Sequence, residues 1–281
     1  VRQTTLALPH RHPLPPAWGL TLGTLLIAEL VLFTGTTRHF AEHGSGLLHL
    51  TEQFSPTGVV ALGLAFVILT GNIDLSVGAI ASLSAIVVGV ELHDGTSMWF
   101  AVLIAVLVGV GFGLFNGLVI SLFGIDSLLV TLATQFIATS LATSIGGQNP
   151  PYSFGKAFDR LGTGTVGGVP VDLIVFVALA AATIVVVTRT GLGRSLVLVG
   201  YSLIVARYTG IRTRAVVTAV FTLSGLYSGI AGVLLAAYYD SARSDIGTVL
   251  LLPAITMVVL GGVDIFGGAG RISEVVIAVF L

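Results

Sequence analysis

The feature that most constrains this chain is a series of long apolar runs separated by short connections that carry most of its charge. Only 9% of its residues are charged, whereas soluble domains carry about 25%. The runs approach the roughly 20 residues of a helical span and do not alternate with period two, which excludes a β-barrel. The sequence therefore predicts an all-α, polytopic membrane protein. About nine spans are expected, at 17–33, 56–70, 76–92, 99–122, 127–145, 171–188, 215–238, 249–260 and from 272.

A polar stretch bounded by glycines, residues 71–78, interrupts the apolar sequence after the second run. It carries Asp74, and an unpaired charge at membrane depth costs a few kcal/mol or more. The preceding run of 15 residues covers about 22 Å, less than the roughly 30 Å hydrocarbon core. Two interpretations remain open: an interrupted helix that lines a transport path, or a cap on a helix that begins at Ser76 near the membrane face.

A second break of similar composition, residues 261–269, follows the eighth run. Aligning Asp74 on Asp264 also matches Gly71 with Gly261 and two further pairs of small residues. Both breaks are approached from the same side of the membrane. We therefore predict a parallel internal repeat around a transport path.

The connection at 189–214 indicates the orientation of the chain, because it holds five arginines and no acidic residue. The positive-inside rule places it in the cytoplasm. Counting spans back makes residues 1–16 a short cytoplasmic tail. Within the connection, 194–211 is predicted to form a short surface helix that ends at Gly210. Such a basic helix either lies on anionic lipid or docks a soluble partner.

Two spans combine small and polar residues. The fourth carries glycines four residues apart, which allow close approach of another helix, at Gly109, Gly113 and Gly117. Asn116, beside the last of them, lines a path or bonds a neighbouring helix. The fifth span carries hydroxyl and amide side chains, including Thr131 and Gln135. These suit a polyhydroxylated ligand, and bonding between helices explains them equally well.

The connection at 34–55 is too polar to span, and we predict that it lies outside the membrane or along its surface. The connection at 146–169 is rich in glycine and proline and is predicted to be a loop, and 239–247 is predicted to be external. His39 and His43 would share one face of a helix. A metal site needs further ligands at fixed spacing, so a solvated amphipathic segment is the better interpretation. We predict no metal site.

Motifs for enzymatic chemistry are missing from the sequence. There is no phosphate-binding Gly-x4-Gly-Lys-Ser/Thr loop, no His-Glu-x2-His, no Gly-x-Ser-x-Gly and no cysteine. The chain is therefore predicted not to be an enzyme. If its transport is driven by ATP, a partner must supply the hydrolysis.

Several motifs taken in order resemble one family. The chain resembles the permease subunits of bacterial monosaccharide ABC importers of the ribose type at residues 71–78, 194–211 and 258–268. These importers are related to branched-chain amino-acid permeases. Asn116-Gly117 and the stretch 130–134 also match. The likeness runs from about residue 55 to the end. Residues 241–247, followed by 253–256, look most like the autoinducer-2 permeases and next like the rhamnose permeases.

The resemblance implies a single transmembrane permease domain over 1–281, with about ten helices in the complete subunit, in the bacterial inner membrane. The run from 272 covers only half a bilayer by residue 281, so we expect the C-terminus to be truncated. Two permeases would pair as a homodimer or heterodimer. The other implied partners are a cytoplasmic ATPase that binds ATP and Mg, an extracytoplasmic substrate-binding protein and membrane lipid. No cofactor in this chain and no nucleic acid are implied.

The resemblance also implies roles for particular residues. Those expected near the substrate path are Asn72, Asp74, Ser76, Asn116, Thr131, Gln135, Asp264 and Phe266. Those expected to couple to the ATPase, in the connection at 189–214, are Arg194, Ala206, Arg207, Tyr208 and Gly210. The family's usual Glu-Ala-Ala-Arg core is replaced here by Ile-Val-Ala-Arg at 204–207. The alternative is a secondary transporter or channel without an ATPase, in which Asp74 and Glu29 couple to protons or sodium.

Overall fold

Helices make up nearly all the regular structure in the computed structural model, which describes residues 17–36, 44–147 and 149–281. His39 and His43 lie outside these ranges. Within them, six helical stretches are long and apolar enough to cross a membrane, and two shorter apolar helices accompany them. The predicted all-α, polytopic fold is confirmed. The elements are α1 (Trp18–Thr36), α2 (Gly44–Leu69), α3 (Val77–His93), α4 (Met98–Phe123), α5 (Ser127–Gly146), α6 (Lys156–Thr163), β1 (Thr165–Val166), β2 (Val169–Pro170), α7 (Val171–Arg189), α8 (Gly191–Tyr201), α9 (Leu203–Tyr208), α10 (Thr213–Tyr239), α11 (Leu251–Leu260) and α12 (Ile272–Ala278).

Helix α2 begins well before the predicted start of the second span. The span was expected to open at Pro56, but the helix starts at Gly44 and Pro56 lies inside it. A proline in a helix removes one backbone hydrogen bond. Ser55 and Thr57 on either side are buried, so packing keeps the helix continuous through this position. The stretch of α2 that is long and apolar enough to cross a membrane is Thr51–Leu69, so the predicted start of the span at Pro56 is five residues late.

The connection between α5 and α7 contains regular structure that was not predicted. Helix α6 lies in it, followed by a two-stranded antiparallel hairpin in which Val166 pairs with Val169. Phe158 is buried, and Gly162 touches the backbone of Tyr238 near the end of α10. These elements are too short for sequence periodicity to reveal, and contact with α10 stabilises them.

Helices α3 and α10 occupy the centre of the bundle and are buried along most of their length. A helix that is apolar on every side is typical of such a position. Helices α1, α4 and α5 instead expose large apolar side chains, among them Leu20 and Phe136. We call the end of the bundle that carries α8 and α9 the basic end, and the end that carries α6 and the hairpin the far end.

The glycines of α4 provide the predicted close-packing face, and α10 is the helix that uses it. Side chains at Gly109 and Gly113 would overlap the backbone of α10 at Gly225 and Phe221, and a Cβ on Gly117 would lie 2.7 Å from the Thr218 Cα atom. Backbones can approach this closely where the residue at the contact on one of the two helices is a glycine. The prediction of a helix-packing groove is confirmed.

Replacing Gly113 with alanine is expected to destabilise the protein by about 1–3 kcal/mol, the usual cost of overpacking. Gly111 on the same helix has no atom within 4 Å of a built Cβ, so Gly111→Ala is the matched control. Thermal unfolding of the detergent-solubilised protein compares the two. Equal melting temperatures for Gly113→Ala and Gly111→Ala would show that α4 and α10 can move apart at Gly113 without loss of stability.

The segment from α10 to α11 does not remain outside, as 239–247 was predicted to do. Ala242 contacts Gly89 near the far end of α3, while the Gly247 carbonyl oxygen would lie 2.5 Å from a Cβ on Gly78, in the first turn of α3. The Gly247 amide donates to the Ser82 hydroxyl at 2.9 Å. The segment thus descends along α3. Gly247 of the segment and Gly78 and Gly89 of α3 permit the close contact, and a side chain satisfies the Gly247 amide, as a membrane interior demands.

Candidate functional site

Asp74 is the centre of a buried hydrogen-bond network. Its side chain is completely buried. Oδ1 accepts hydrogen bonds from the Ser76 amide at 2.9 Å and the Ser76 hydroxyl at 2.6 Å. Oδ2 accepts one from the Ser224 hydroxyl of α10 at 2.8 Å. Both oxygens are therefore satisfied by protein groups, which offsets part of the cost of burying this side chain.

The network continues from the break into α4 and α5. Asn116 donates from Nδ2 to the Ser76 hydroxyl at 3.0 Å, and its Oδ1 accepts from the Thr134 hydroxyl at 2.5 Å. All of these side chains are buried. Polar contacts of this kind hold membrane helices together. Side chains of three long helices, α4, α5 and α10, thereby belong to one hydrogen-bond network with the first break.

Helix α5 also satisfies the backbone of the break. The Leu75 amide donates to the Thr131 hydroxyl at 3.2 Å, and the Ile73 amide donates to the Ser127 hydroxyl at 3.3 Å. An interrupted helix frees such amides, and they must find partners within the protein. Two hydroxyls on one face of α5 supply them here.

The break lies within the bundle and not at its surface. Asn116 is seven residues before the end of α4 and Ser224 is eleven residues into α10. At 1.5 Å per residue these positions are about 10 and 16 Å from the basic ends of their helices. Asp74 therefore belongs to an interruption at membrane depth, and its carboxylate is directed at protein groups.

The hydrogen bond from an amide to the aspartate recurs in the second break, while the glycine that follows the helix is shifted by one residue. The Phe266 amide donates to Asp264 Oδ1 at 2.9 Å, as the Ser76 amide does to Asp74. The glycine with positive φ that follows the helix is Gly71 (φ 74°) in the first break and Gly262 (φ 80°) in the second. The predicted pairing of Gly71 with Gly261 is thus one residue out at the helix end. Asp264 is half-buried and lies outside the Asp74 network.

The two breaks and the basic connection meet at one place. The Gly268 amide donates to the Leu69 carbonyl at 2.9 Å, and a side chain on Gly267 would overlap the backbone of Gly71. On α8, a side chain at Gly200 would overlap both the Leu69 carbonyl oxygen and the Gly268 nitrogen. We call Gly71, Gly200 and Gly267 the glycine junction. Through it, α8 contacts the second break and the end of α2 that precedes the first break.

The basic connection forms two short helices in place of the single one predicted. Helix α8 ends at Tyr201, and the Ser202 hydroxyl caps α9 by accepting from the Val205 amide at 3.3 Å. Gly210, with φ 82°, follows α9, at the position predicted to end the surface helix. Ala206 is completely buried and fixes α9 to the bundle.

The outer face of α9 is exposed and combines charge with apolar surface. Tyr208 is 89% exposed and Ile204 68% exposed. Arg194 on α8 and Arg207 on α9 are exposed as well. Aromatic and arginine side chains on one surface are typical of the centres of protein interfaces.

Comparison with known proteins identifies the family. Residues 46–281 match the family described as the permease component of the branched-chain amino acid transport system. The chain belongs to this permease family. The permease is 36% identical over 270 residues to the autoinducer 2 import system permease protein LsrD of Yersinia pseudotuberculosis and to that of Yersinia pestis, and the match covers 94% of this chain and 81% of each relative. No solved structure matches it.

The family membership confirms the predicted class. The permease is a multi-pass protein of the inner membrane and a transport subunit. Among the residues that the structure describes, no group of three histidine or acidic side chains is placed to hold a metal ion.

The structure brings some of the predicted path residues of the permease together and separates others. Four of them are buried around the first break: Asp74, Ser76, Asn116 and Thr131. Asn72 is half-buried and donates to the Thr70 hydroxyl at 2.9 Å. Gln135 is half-buried on α5. In the second break Phe266 is 79% exposed. The path that these residues were predicted to line stays a prediction.

Sequence reasoning did not single out Ser224 or Gly200, and it named Thr134 only as one of the polar residues of the fifth span and of the matching stretch 130–134. Ser224 and Thr134 look like ordinary small polar residues within spans, and only the position of Asp74 makes them partners. Gly200 lies in a basic surface segment where a glycine indicates nothing more than a turn. Their common signal, a small residue within a helix, is too frequent in membrane proteins to distinguish them.

Proposed function

We propose that this permease is the membrane subunit of an ATP-driven importer for a small sugar-like molecule, with autoinducer 2 as the first substrate to test. The observation that carries the proposal is the 36% identity to autoinducer 2 import permeases over 94% of the chain. The substrate assignment rests on the name of those relatives. The buried polar breaks support a transport role, because irregular backbone at membrane depth is characteristic of transporter sites.

The exposed surface of α8 and α9 is the proposed docking site of a cytoplasmic ATPase. Arg194, Arg207 and Tyr208 would contact the ATPase, Ala206 would hold α9 against the bundle, and Gly210 would set the turn that follows. In this arrangement the ATPase binds ATP and Mg, and the permease binds neither. The basic end is then cytoplasmic, in agreement with the positive-inside rule.

A second permease and a substrate-binding protein complete the proposed complex. Helix α5 exposes Ser140 and Ser144 together with large apolar side chains, and hydroxyls are uncommon where a helix faces only lipid. This face is the proposed contact with the second permease and one wall of the substrate path. Gln135, on the same helix, would lie beside that path, and the binding protein would deliver substrate at the far end.

Replacing Arg207 and Tyr208 together with alanine tests the coupling surface. Import is expected to fall by about tenfold or more, since interface anchors of this type typically contribute 2 kcal/mol or more each. The permease itself should remain folded, because both side chains are exposed. Substrate import into proteoliposomes and co-purification of the ATPase with the permease are the measurements.

Arg160 and Tyr152 provide the matched control for this double variant. They are an exposed arginine and an exposed tyrosine at the far end. Replacing both with alanine should leave co-purification of the ATPase unchanged. Normal ATPase binding and normal import by the Arg207 and Tyr208 variant would contradict the proposed docking surface.

A further inference from the structure

A small polar cavity opens at the far end of the bundle, where the segment after α10 passes the end of α5. Its volume is about 190 Å³. Arg243, Ser244 and Asp245 form one wall, and the backbone of Gly146 and Gly147 lies opposite, with Ile86 at the side. At about 30 Å³ for each water molecule, it has room for roughly six waters, which suits one sugar ring better than an oligosaccharide.

Two charged side chains on this wall form a bidentate ion pair. Arg243 Nε donates to Asp245 Oδ1 at 3.0 Å, and Arg243 Nη2 donates to Asp245 Oδ2 at 2.7 Å. Hydrogen bonding to the Arg243 guanidinium lowers the pKa of Asp245, which keeps the carboxylate ionised at neutral pH. Charged donors and acceptors are therefore fixed side by side in the cavity.

The ion pair is not needed to hold the segment in place. Its side chains are 62% and 60% exposed, and exposed ion pairs contribute little to stability. The segment is held instead by backbone bonds, from the Ala242 amide to the Pro151 carbonyl at 2.9 Å and from the Gly247 amide to the Ser82 hydroxyl at 2.9 Å. The pair is thus available for another role.

The free hydrogen-bonding groups on this wall match neighbouring hydroxyl groups. Within the pair, Arg243 retains N–H groups that do not point at Asp245, and each Asp245 oxygen retains a second lone pair. A sugar hydroxyl both donates and accepts. Adjacent hydroxyls could therefore accept from Arg243 and donate to Asp245, while the Ser244 hydroxyl adds a third polar contact.

We propose that this cavity is a binding subsite for a small molecule with vicinal hydroxyl groups, recognised by Arg243 and Asp245, where substrate first enters the permease. The inference rests on the proposed function, since it assumes import of a sugar-like molecule. The segment that carries the pair continues to Gly247, which contacts Gly78 beside the first break. The subsite is therefore joined by a short stretch of backbone to the interrupted helix.

The test uses the complete importer, with permease, ATPase and binding protein, in proteoliposomes. The probes are labelled autoinducer 2 and labelled ribose. The variants are Asp245→Asn and Arg243→Gln. The matched control is Asp94→Asn, because Asp94 is an exposed carboxylate in the turn after α3. We expect tenfold or greater loss of import in both variants, retained docking of the loaded binding protein, and wild-type import in the control.

The remaining outcomes overturn the inference in distinguishable ways. Wild-type import by Asp245→Asn and Arg243→Gln would overturn the proposed subsite and leave the proposed function standing. Loss of binding-protein docking would do the same, because the pair would then belong to the interface with the binding protein. A wild-type importer that hydrolyses ATP but imports neither probe overturns the proposed function together with this inference.

Discussion

Replacing Asp74 with alanine is expected to lower the free energy of unfolding of the permease by about 3 kcal/mol or more. The Ser76 amide, the Ser76 hydroxyl and the Ser224 hydroxyl would all lose their acceptor. Each buried polar group left without a partner costs about 1–3 kcal/mol. Thermal unfolding in detergent and the amount of folded protein in the membrane are the measurements.

Asp74→Asn is the matched control because it keeps the shape of the side chain. Its amide oxygen can still accept from Ser76, and the Ser224 hydroxyl can rotate to accept from the new amide group. Stability should therefore stay within about 1 kcal/mol of wild type, and import should be retained. An asparagine variant as damaged as the alanine variant would show that the negative charge itself is required. An alanine variant as stable as wild type would contradict the role of the network.

Replacing Gly200 with alanine is expected to reduce import by about tenfold or more while the ATPase remains bound. The new methyl group would overlap the Leu69 carbonyl and the Gly268 nitrogen, which are backbone atoms that cannot move independently. Overpacking of this kind costs about 1–3 kcal/mol. The cheapest relief is a shift of α8 away from the end of α2 and from the second break, which would interrupt contact between the coupling surface and the interior. The exposed docking face of α9 would be left intact.

Gly191, at the start of the same helix, supplies the control for this prediction. A Cβ there has only the end of the Arg194 side chain within 4 Å, so Gly191→Ala should import normally. Import and ATP hydrolysis by the reconstituted complex are measured together, since continued hydrolysis with little import identifies uncoupling. If Gly200→Ala imports as well as Gly191→Ala, the glycine junction does not carry the coupling.

The sequence predicted the bundle more accurately than it predicted the site. The positions of α4, α5, α7 and α10 follow from runs of apolar residues, because transfer of each side chain into the membrane depends mainly on that side chain. The glycines of α4 predicted close packing for the same local reason. The start of α2 was missed, since Pro56 and polar neighbours suggest an end that tertiary packing overrides.

The sequence by itself determined where the chain crosses the membrane, where its spans are interrupted and which connection is basic, because these depend on the composition of short stretches. Only the tertiary structure decided that Asp74 bonds Ser224 and lies in one network with Asn116 and Thr134, residues far apart along the chain. It also decided that Gly200 touches the end of α2 and the second break, and that the Arg243–Asp245 pair faces a cavity. The physical reason is that a buried polar group is satisfied by whichever helices become its neighbours, and neighbours are a property of the assembled bundle.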